Sequence, residues 1–278
     1  GQQAYQQDSK LNFTISRILM SPDDSDKIIA STRKGILYTE NAGNTWAMAT
    51  KSDGNDLDEE FHDIEFKPGD SNVAYAGAEG GVWKSVDGGI SWTEAALPSS
   101  AGANRTAIAV AESEPSLVYL ISSSWNGGLH NLYKSEDSGD SWNIINSSNA
   151  GGHPNLLCGS LNGDCTQGQG NYDLCIAVSP ANEDSVFVGG VNLWNSPDGG
   201  ATWNQIGHWT GGQVPEHIHA DHHGLTFNGE TLIIANDGGV YESTDGVTFN
   251  NTSQGLVNGQ IYSMGLAQDT LGMLSWGL

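Results

Sequence analysis

The sequence predicts an all-β fold, a β-propeller made of four-stranded blades. Three observations predict it: an eight-residue turn motif recurs along the 278-residue chain, three short apolar strands precede each copy, and no long amphipathic helical stretch is visible. Five copies indicate five blades, and residues 258–264 have the pattern of the first strand of a sixth. Such a pattern is typical of part of a ring of about six to eight blades.

The turn motif reads Ser-x-Asp-x-Gly-x-Ser/Thr-Trp. Three complete copies are present, together with a copy that has Asn in place of Asp and a copy one residue shorter; they start at Ser85, Ser135, Ser196, Thr39 and Ser243. Consecutive copies start 46 to 61 residues apart. Four strands joined by short turns fill such an interval, which is the length of one propeller blade.

Each motif position has a structural reason. An Asp carboxylate accepts hydrogen bonds from backbone amides two or more residues further on, and Gly supplies a positive φ without steric cost. The first Ser or Thr caps a neighbouring backbone group, and the Trp packs against the adjacent repeat. We therefore interpret as structural the residues Asn41, Asp87, Asp137, Asp198, Asp245, Trp46, Trp92, Trp142 and Trp203.

Charge and composition narrow the function classes. The net charge is −23 with only ten Lys and Arg residues, which argues against a nucleic-acid partner. There is no apolar run of about 18 residues, so we expect no membrane span. An acidic surface suits a protein that is secreted or displayed at the cell surface.

Three cysteines are present. Cys158 and Cys165 flank a polar stretch, and we predict a small disulfide loop there, which would place the protein outside the reducing cytosol. Cys175 lies in an apolar strand and is predicted to be a small buried residue with a free thiol.

The octapeptides resemble Asp-box repeats, also called BNR repeats. Families that carry them include sialidases, xyloglucanase-type glycoside hydrolases, sortilin-type receptor ectodomains and photosystem assembly factors. The stretches 169–173, 188–203, 219–225 and 235–241 are similar to secreted propellers of the sortilin- and xyloglucanase-like superfamily that are common in Bacteroidetes. The resemblance covers residues 12–278; it implies the fold and secretion, and it implies little about activity.

We expect one propeller domain over residues 1–278, incomplete at its C-terminal end and part of a longer chain. An open ring would expose unpaired strand groups, which is costly unless they are covered. Further residues, or a partner chain, would then complete the ring.

The rim opposite the turn motifs is where we expect a ligand to meet the central channel. Residues 122–130, 146–173 and 209–223 should lie there. Residues two apart on a strand share a face, so His219, Asp221 and His223 would project together, and imidazole and carboxylate groups suit zinc. The alternatives are a polar channel lining whose histidines have backbone or carboxylate partners, and general acid–base chemistry with Asp237.

Calcium is a second metal possibility, because Asn162, Asp164 and Asp237 offer oxygen ligands on turns. The spacing of these residues is not that of an EF-hand loop.

The candidate catalytic carboxylates are Asp173, Asp221 and Asp237, although the sequence does not pair them. Sialidase chemistry fits poorly: the chain has only Arg17, Arg33 and Arg105, and Ile-Leu follows Arg17 where the sialidase motif has Ile-Pro.

Three aromatic residues outside the repeat are candidate ligand contacts, namely Trp125, Tyr172 and Trp209. For the two Trp residues, the alternative is that each anchors its own loop. We therefore predict an extracellular or cell-surface binding or structural module that recognises protein or glycan partners and is not an enzyme. The alternative is a secreted glycoside hydrolase of the xyloglucanase type.

Overall fold

The structure is a computed structural model that describes residues 14–147, 152–210, 216–255, 263–266 and 274–277. Every regular element among these residues is a β-strand. Five sheets of four or five strands stand around a central channel as the blades of a β-propeller. The predicted fold class is therefore confirmed.

Blades 1 to 3 occupy the first half of the chain. Blade 1 contains β1 (Ile15–Met20), β2 (Ile28–Thr32), β3 (Gly35–Thr39) and β4 (Ala47–Met48). Blade 2 contains β5 (Thr50–Lys51), β6 (Phe61–Lys67), β7 (Asp70–Ala78), β8 (Gly81–Ser85) and β9 (Ser91–Ala95). Blade 3 contains β10 (Ala103–Val110), β11 (Val118–Ser124), β12 (Leu129–Ser135) and β13 (Asn143–Ser147).

Blades 4 and 5 follow. Blade 4 contains β14 (Cys175–Ser179), β15 (Asn182–Gly189), β16 (Leu193–Ser196), β17 (Asn204–His208) and β18 (Glu216–His217). Blade 5 contains β19 (His222–Asn228), β20 (Thr231–Asn236), β21 (Gly239–Ser243) and β22 (Asn250–Asn251). A further hairpin pairs β23 (Ser263–Leu266) with β24 (Leu274–Gly277). The strand predicted at 258–264 falls mostly outside the described residues.

Within each blade, four successive strands pair antiparallel, and the first strand lies against the channel. The first strands of successive blades, β1, β6, β10, β14 and β19, contact one another in that order. Blades 2 and 4 each gain a two-residue strand that pairs parallel to their outermost strand. The sequence did not predict β5 and β18, because two residues are too few to show a pattern.

The predicted turn geometry is present in blade 2. Ser85 Oγ donates to Asp87 Oδ1 at 2.8 Å, and Gly89 N donates to Ser85 Oγ at 2.9 Å. Asp87 Oδ1 also accepts from Ser91 N at 2.9 Å, and Trp92 Nε1 donates to the Gly89 carbonyl at 2.9 Å. Although burial opposes it, hydrogen bonds from Ser91 and Ser85 hold the pKa of Asp87 below its usual value. The motif is thus a hydrogen-bonded turn that needs no ligand to hold its Asp.

The motif glycines also touch the preceding blade. Gly89 has φ 94°, and a Cβ built on it would lie 2.6 Å from Cγ2 of Ile29 in blade 1. Gly139 approaches Tyr75 of blade 2 in the same way, at 2.9 Å. Glycine is therefore required at this position twice over, by its backbone conformation and by contact between blades.

The hydrophobic core lies between neighbouring blades. Between blades 1 and 2 it includes Ile29, Phe61 and Trp92, all fully buried, and a second cluster between blades 2 and 3 contains Tyr75 and Tyr133. Each blade therefore buries its faces against its neighbours, as a radial repeat must.

The predicted disulfide is present. Cys158 and Cys165 are bonded with their Cα atoms 5.9 Å apart, and Cys175 is a free, buried thiol. Among the described residues, no helix is long and apolar enough to cross a membrane.

Candidate functional site

The topology places the turn motifs on one rim and the long loops on the other. Turn motifs join the third and fourth strands of a blade, and strand direction alternates across it. The connections from second to third strand, and from one blade to the next, therefore lie on the opposite rim. Residues 125–128, 152–174, 209–210 and 216–221 belong to such connections, so the described parts of the three segments lie on the expected rim.

Hydrogen bonds tie these segments together. Asn171 Nδ2 donates to the Trp125 carbonyl at 3.1 Å, and Trp209 Nε1 donates to the Gly159 carbonyl at 3.0 Å. The insertion that contains Gly159 and Asn171 thus reaches the loops of both aromatic residues. The rim is one connected surface rather than three separate loops.

Three aromatic side chains stand out from this surface. Trp125 is 65% exposed, Tyr172 is 54% exposed and Trp209 is 46% exposed. The Trp residues of the turn motifs differ: Trp92 and Trp142 are buried, and Trp203 is partly buried against the core between blades 3 and 4. Motif Trp residues therefore stabilise the fold, whereas the three rim aromatics are free to contact a ligand.

Two carboxylates lie close together near the channel mouth. Asp173 is completely buried, and within the part of the chain that the structure describes neither of its carboxylate oxygens has a geometric hydrogen-bond partner. Burial, together with the negative charge of Asp221, raises the pKa of Asp173 to about 8. Asp173 is therefore mostly protonated at neutral pH, and in that form it can share its proton with Asp221.

His223 and Asp237 form the polar edge of the same mouth. His223 Nε2 lies 2.7 Å from Asp237 Oδ1, and the Tyr172 hydroxyl donates to Asp237 Oδ2 at 3.3 Å. The Tyr172 and His223 rings meet edge to face with centroids 4.9 Å apart. Arg105 donates a hydrogen bond to the Tyr172 carbonyl. Contacts from three parts of the fold thus fix the position of Tyr172.

The predicted metal grouping of His219, Asp221 and His223 does not form. Within the described ranges, no three His, Cys, Asp or Glu side chains are placed to share a metal ion. The reason is local: β19 begins only at His222, and Asp221 has φ 62°, so the extended alternation assumed for this stretch is interrupted.

The histidines instead fit the alternative interpretation, a polar lining with local partners. His222 is fully buried, its Nδ1 lies 2.8 Å from the Gly190 carbonyl oxygen, and burial lowers its pKa to about 4. His223 is paired with Asp237. Asp164, a candidate calcium ligand, accepts a hydrogen bond from Ser160 Oγ at 2.6 Å.

Inside the channel lies an ionic cluster that the sequence analysis missed. Arg17 Nη1 donates to Asp63 Oδ1 at 2.7 Å, and Arg17 also pairs with Glu65. Asp63 accepts further bonds from the backbone N–H groups of Ile64 at 2.9 Å and Ile108 at 2.8 Å. The cluster ties the first strands of three blades together, which gives it a structural role. No local pattern signals it, because its members come from separate blades.

The channel itself contains two cavities of about 330 and 450 Å³. Arg17 lines both, while Arg105 and His223 line the smaller one at the rim side. The candidate carboxylates therefore lie near an opening that leads into the centre of the propeller.

Two curated proteins are similar to this chain, and both are xyloglucanases. No family model matches the chain. It is 28% identical over 168 residues to a xyloglucanase from Hypocrea jecorina, covering 55% of this chain and 18% of the relative. It is 28% identical over 128 residues to a xyloglucanase from a Paenibacillus species, covering 45% of this chain and 12% of the relative.

The fold comparison agrees with these matches. A crystal structure of the GH74 xyloglucanase from Xanthomonas campestris aligns with a TM-score of 0.60 at 16% identity, covering 86% of this chain and 37% of that one. The matched region thus spans less than a fifth of either curated relative and little more than a third of the solved structure. This chain shares the propeller fold with part of each larger protein.

Proposed function

We propose that this chain is an extracellular propeller module that binds a neutral polysaccharide across the rim opposite its turn motifs. The observation that carries the proposal is the exposure of Trp125, Tyr172 and Trp209 on loops that are hydrogen-bonded into one surface. Flat aromatic rings present apolar faces that can stack on the C–H faces of sugar rings. Because the loops are already held in place, little conformational entropy is lost on binding.

Charge supports a neutral ligand. The chain carries −23 net charge with ten basic residues, so an anionic polysaccharide would meet repulsion. The printed identity of the two curated relatives, xyloglucanase, supports a plant β-glucan as the class of polysaccharide. The Cys158–Cys165 disulfide supports an oxidising, extracellular location.

We also propose that the chain is an Asp-box propeller. The turn of blade 2 supports this, because Ser85, Asp87, Gly89 and Trp92 all make the bonds expected of the motif. In blade 3 the same bonds recur, with hydrogen bonds from Ser141 lowering the pKa of Asp137 to about 2.

The binding proposal is tested by affinity electrophoresis in gels that contain xyloglucan, with a charged polysaccharide gel as comparison. Trp125→Ala and Trp209→Ala should each lose most of the retardation in xyloglucan. Val86→Ala is the matched control, because Val86 is an apolar side chain 68% exposed on the other rim. Equal retardation of all variants and wild type, or no retardation of wild type, would contradict the proposal.

Hydrolysis of the same polysaccharide is a second candidate function. It is favoured by the printed identity of the two curated relatives, both xyloglucanases. It ranks second because Asp173 is fully buried and close enough to Asp221 to share a proton, whereas the two carboxyl groups of a glycosidase stand about 5 Å or more apart. Asp221 and Asp237 are then left to face a substrate. Release of reducing ends from xyloglucan by wild type, lost in Asp221→Asn while gel retardation is kept, would establish it. If wild-type protein that is retarded in the gel releases none, the hydrolase candidate fails.

A further inference from the structure

A third cavity lies outside the central channel, between blade 4 and the insertion that carries the disulfide. Its volume is about 540 Å³, and its lining shares no residue with either channel cavity. The insertion contributes one wall and strands β16 and β17, with the turn before β17, contribute the other; the residues used below are His153, Asn162, Asp164, Trp194, Trp203 and Gln205.

Two buried polar atoms of blade 4 belong to side chains that line this cavity. Trp194 is only 3% exposed, and among the described residues neither its Nε1 nor the buried Oε1 of Gln205 has a hydrogen-bond partner. The two residues are direct cross-strand neighbours, since Trp194 pairs with Gln205 in the ladder between β16 and β17. They offer an indole donor and an amide acceptor from neighbouring positions. A hydroxyl group can serve both, because it donates one hydrogen bond and accepts others.

The acceptor of Gln205 is held in a fixed orientation. Gln205 Nε2 donates to the Ser160 carbonyl at 3.2 Å, which leaves Oε1 as the unused end of the amide. The Ser160 wall is itself anchored, because Asn192 Nδ2 donates to the Cys158 carbonyl at 3.0 Å and Cys158 is bonded to Cys165. The cavity is therefore preformed.

The rest of the lining selects against anionic ligands. No Lys or Arg is among the described residues that line it, whereas Asp164 places a carboxylate there. Trp203 adds apolar surface, and its N–H is already used in a 3.1 Å bond to the Gly200 carbonyl. His153 and Asn162 add further polar groups. An aromatic and hydroxyl-compatible lining that carries a carboxylate and no basic group fits a neutral sugar better than an anion or a purely apolar molecule.

We propose that this cavity binds one or two units of a neutral pyranose saccharide, as a site separate from the rim. Its volume falls within the range of about 300–1,000 Å³ that is usual for small-molecule sites. A ligand hydroxyl bridges Trp194 Nε1 and Gln205 Oε1, and a sugar ring lies along the indole of Trp203. The proposal does not depend on polysaccharide binding at the rim.

The test is a titration with glucose, galactose, xylose and cellobiose, followed by ligand-observed NMR and by tryptophan fluorescence. Glucuronic acid is the matched anionic probe, since it differs from glucose by one carboxylate. We expect saturable binding of at least one neutral sugar and none of glucuronic acid. Absence of binding by every neutral sugar, or equal binding of glucuronic acid, would overturn the proposal.

Variants locate the site. Trp194→Phe keeps an aromatic ring and removes the N–H, so it should weaken sugar binding about 2- to 10-fold, the effect of one neutral hydrogen bond. Gln205→Met removes the acceptor and serves if Trp194→Phe does not fold. Val86→Ala, at an exposed apolar side chain in the turn after β8, is the control, and sugar binding should persist in it. Unchanged affinity in a folded cavity variant, or an equal loss of sugar binding in Val86→Ala, would show that this cavity is not the site.

Discussion

Replacing Asp173 by Asn should make the protein more stable at neutral pH. Asp173 is buried and has no geometric hydrogen-bond partner among the residues that the structure describes, and its pKa rises from 3.8 to about 8 on folding. The folded state therefore binds this proton more tightly than the unfolded state. The contribution of this proton to the free energy of unfolding is fully present below about pH 4 and is lost progressively as the pH rises toward 8.

The magnitude follows from the pKa. Each pH unit between the ordinary value of 3.8 and pH 7 costs about 1.36 kcal/mol, so the penalty at pH 7 reaches about 4 kcal/mol. Asn has the same shape as a protonated Asp and does not ionise. Asp173→Asn should therefore gain up to about 4 kcal/mol at pH 7 and almost nothing at pH 4.

The assay is urea unfolding of wild type and Asp173→Asn at several pH values between about 4 and 8, where the linkage acts. Glu230→Gln is the matched control, because it removes one carboxylate from an exposed turn and should change stability by less than about 0.5 kcal/mol. If Asp173→Asn shows the same pH slope as wild type, Asp173 is ionised in the folded protein, and the argument for a shared proton with Asp221 fails with it.

Three further predictions concern the scaffold. Gly89→Ala should lower the free energy of unfolding by about 2–4 kcal/mol, because the new Cβ meets Ile29 and the residue keeps a positive φ. Gly54→Ala, with φ 85° and no described atom within 4 Å of a built Cβ, should show only the cost of the positive φ. Equal losses in thermal unfolding would show that the contact between blades contributes nothing. Replacing both Cys158 and Cys165 by Ser should lower the free energy of unfolding by about 2.5 kcal/mol, the loop-closure value for residues seven apart in sequence. Reductant should reproduce this loss in wild type only, and a denaturation midpoint that does not move would contradict the prediction. Buried His222, with a pKa of about 4, should stay neutral in NMR titrations of the folded protein down to about pH 5. The free energy of unfolding should fall as the pH drops below about 6.5, because the unfolded state binds a proton at His222 more readily than the folded state does. Protonation of His222 near pH 6.5 in the folded protein would refute its burial.

Much of the fold could be predicted because its information is local and repeated. Each turn motif contains its own hydrogen-bond partners, as Ser85 and Asp87 show, so the pattern is visible within eight residues. The sequence does not show that Gly89 must also be small to fit against Ile29, because Ile29 lies in another blade. The same limit applies to Arg17, Asp63 and the Ile108 amide, which three separate blades bring together.

The candidate site was predictable in position and less so in chemistry. Topology alone places the loops of Trp125 and Trp209 on one rim, since strand direction alternates. His219 does not share a strand face with Asp221 and His223, because the backbone of Asp221 departs from an extended conformation, which the sequence does not reveal. The sequence could not show that the Trp194 N–H donor and the Gln205 amide acceptor lie side by side in a cavity, because this depends on the register of β16 and β17 and on the insertion that covers them.

The two rims of this propeller differ in how freely they can change. On one, glycines such as Gly89 and Gly139 are wedged against the neighbouring blade, so an extra residue there would push adjacent sheets apart. On the other, residues 152–173 already form a long excursion between blades 3 and 4 that leaves the strand ladders intact. New ligand specificity can therefore arise by lengthening loops on that rim alone, while the opposite rim keeps the packing between neighbouring blades unchanged.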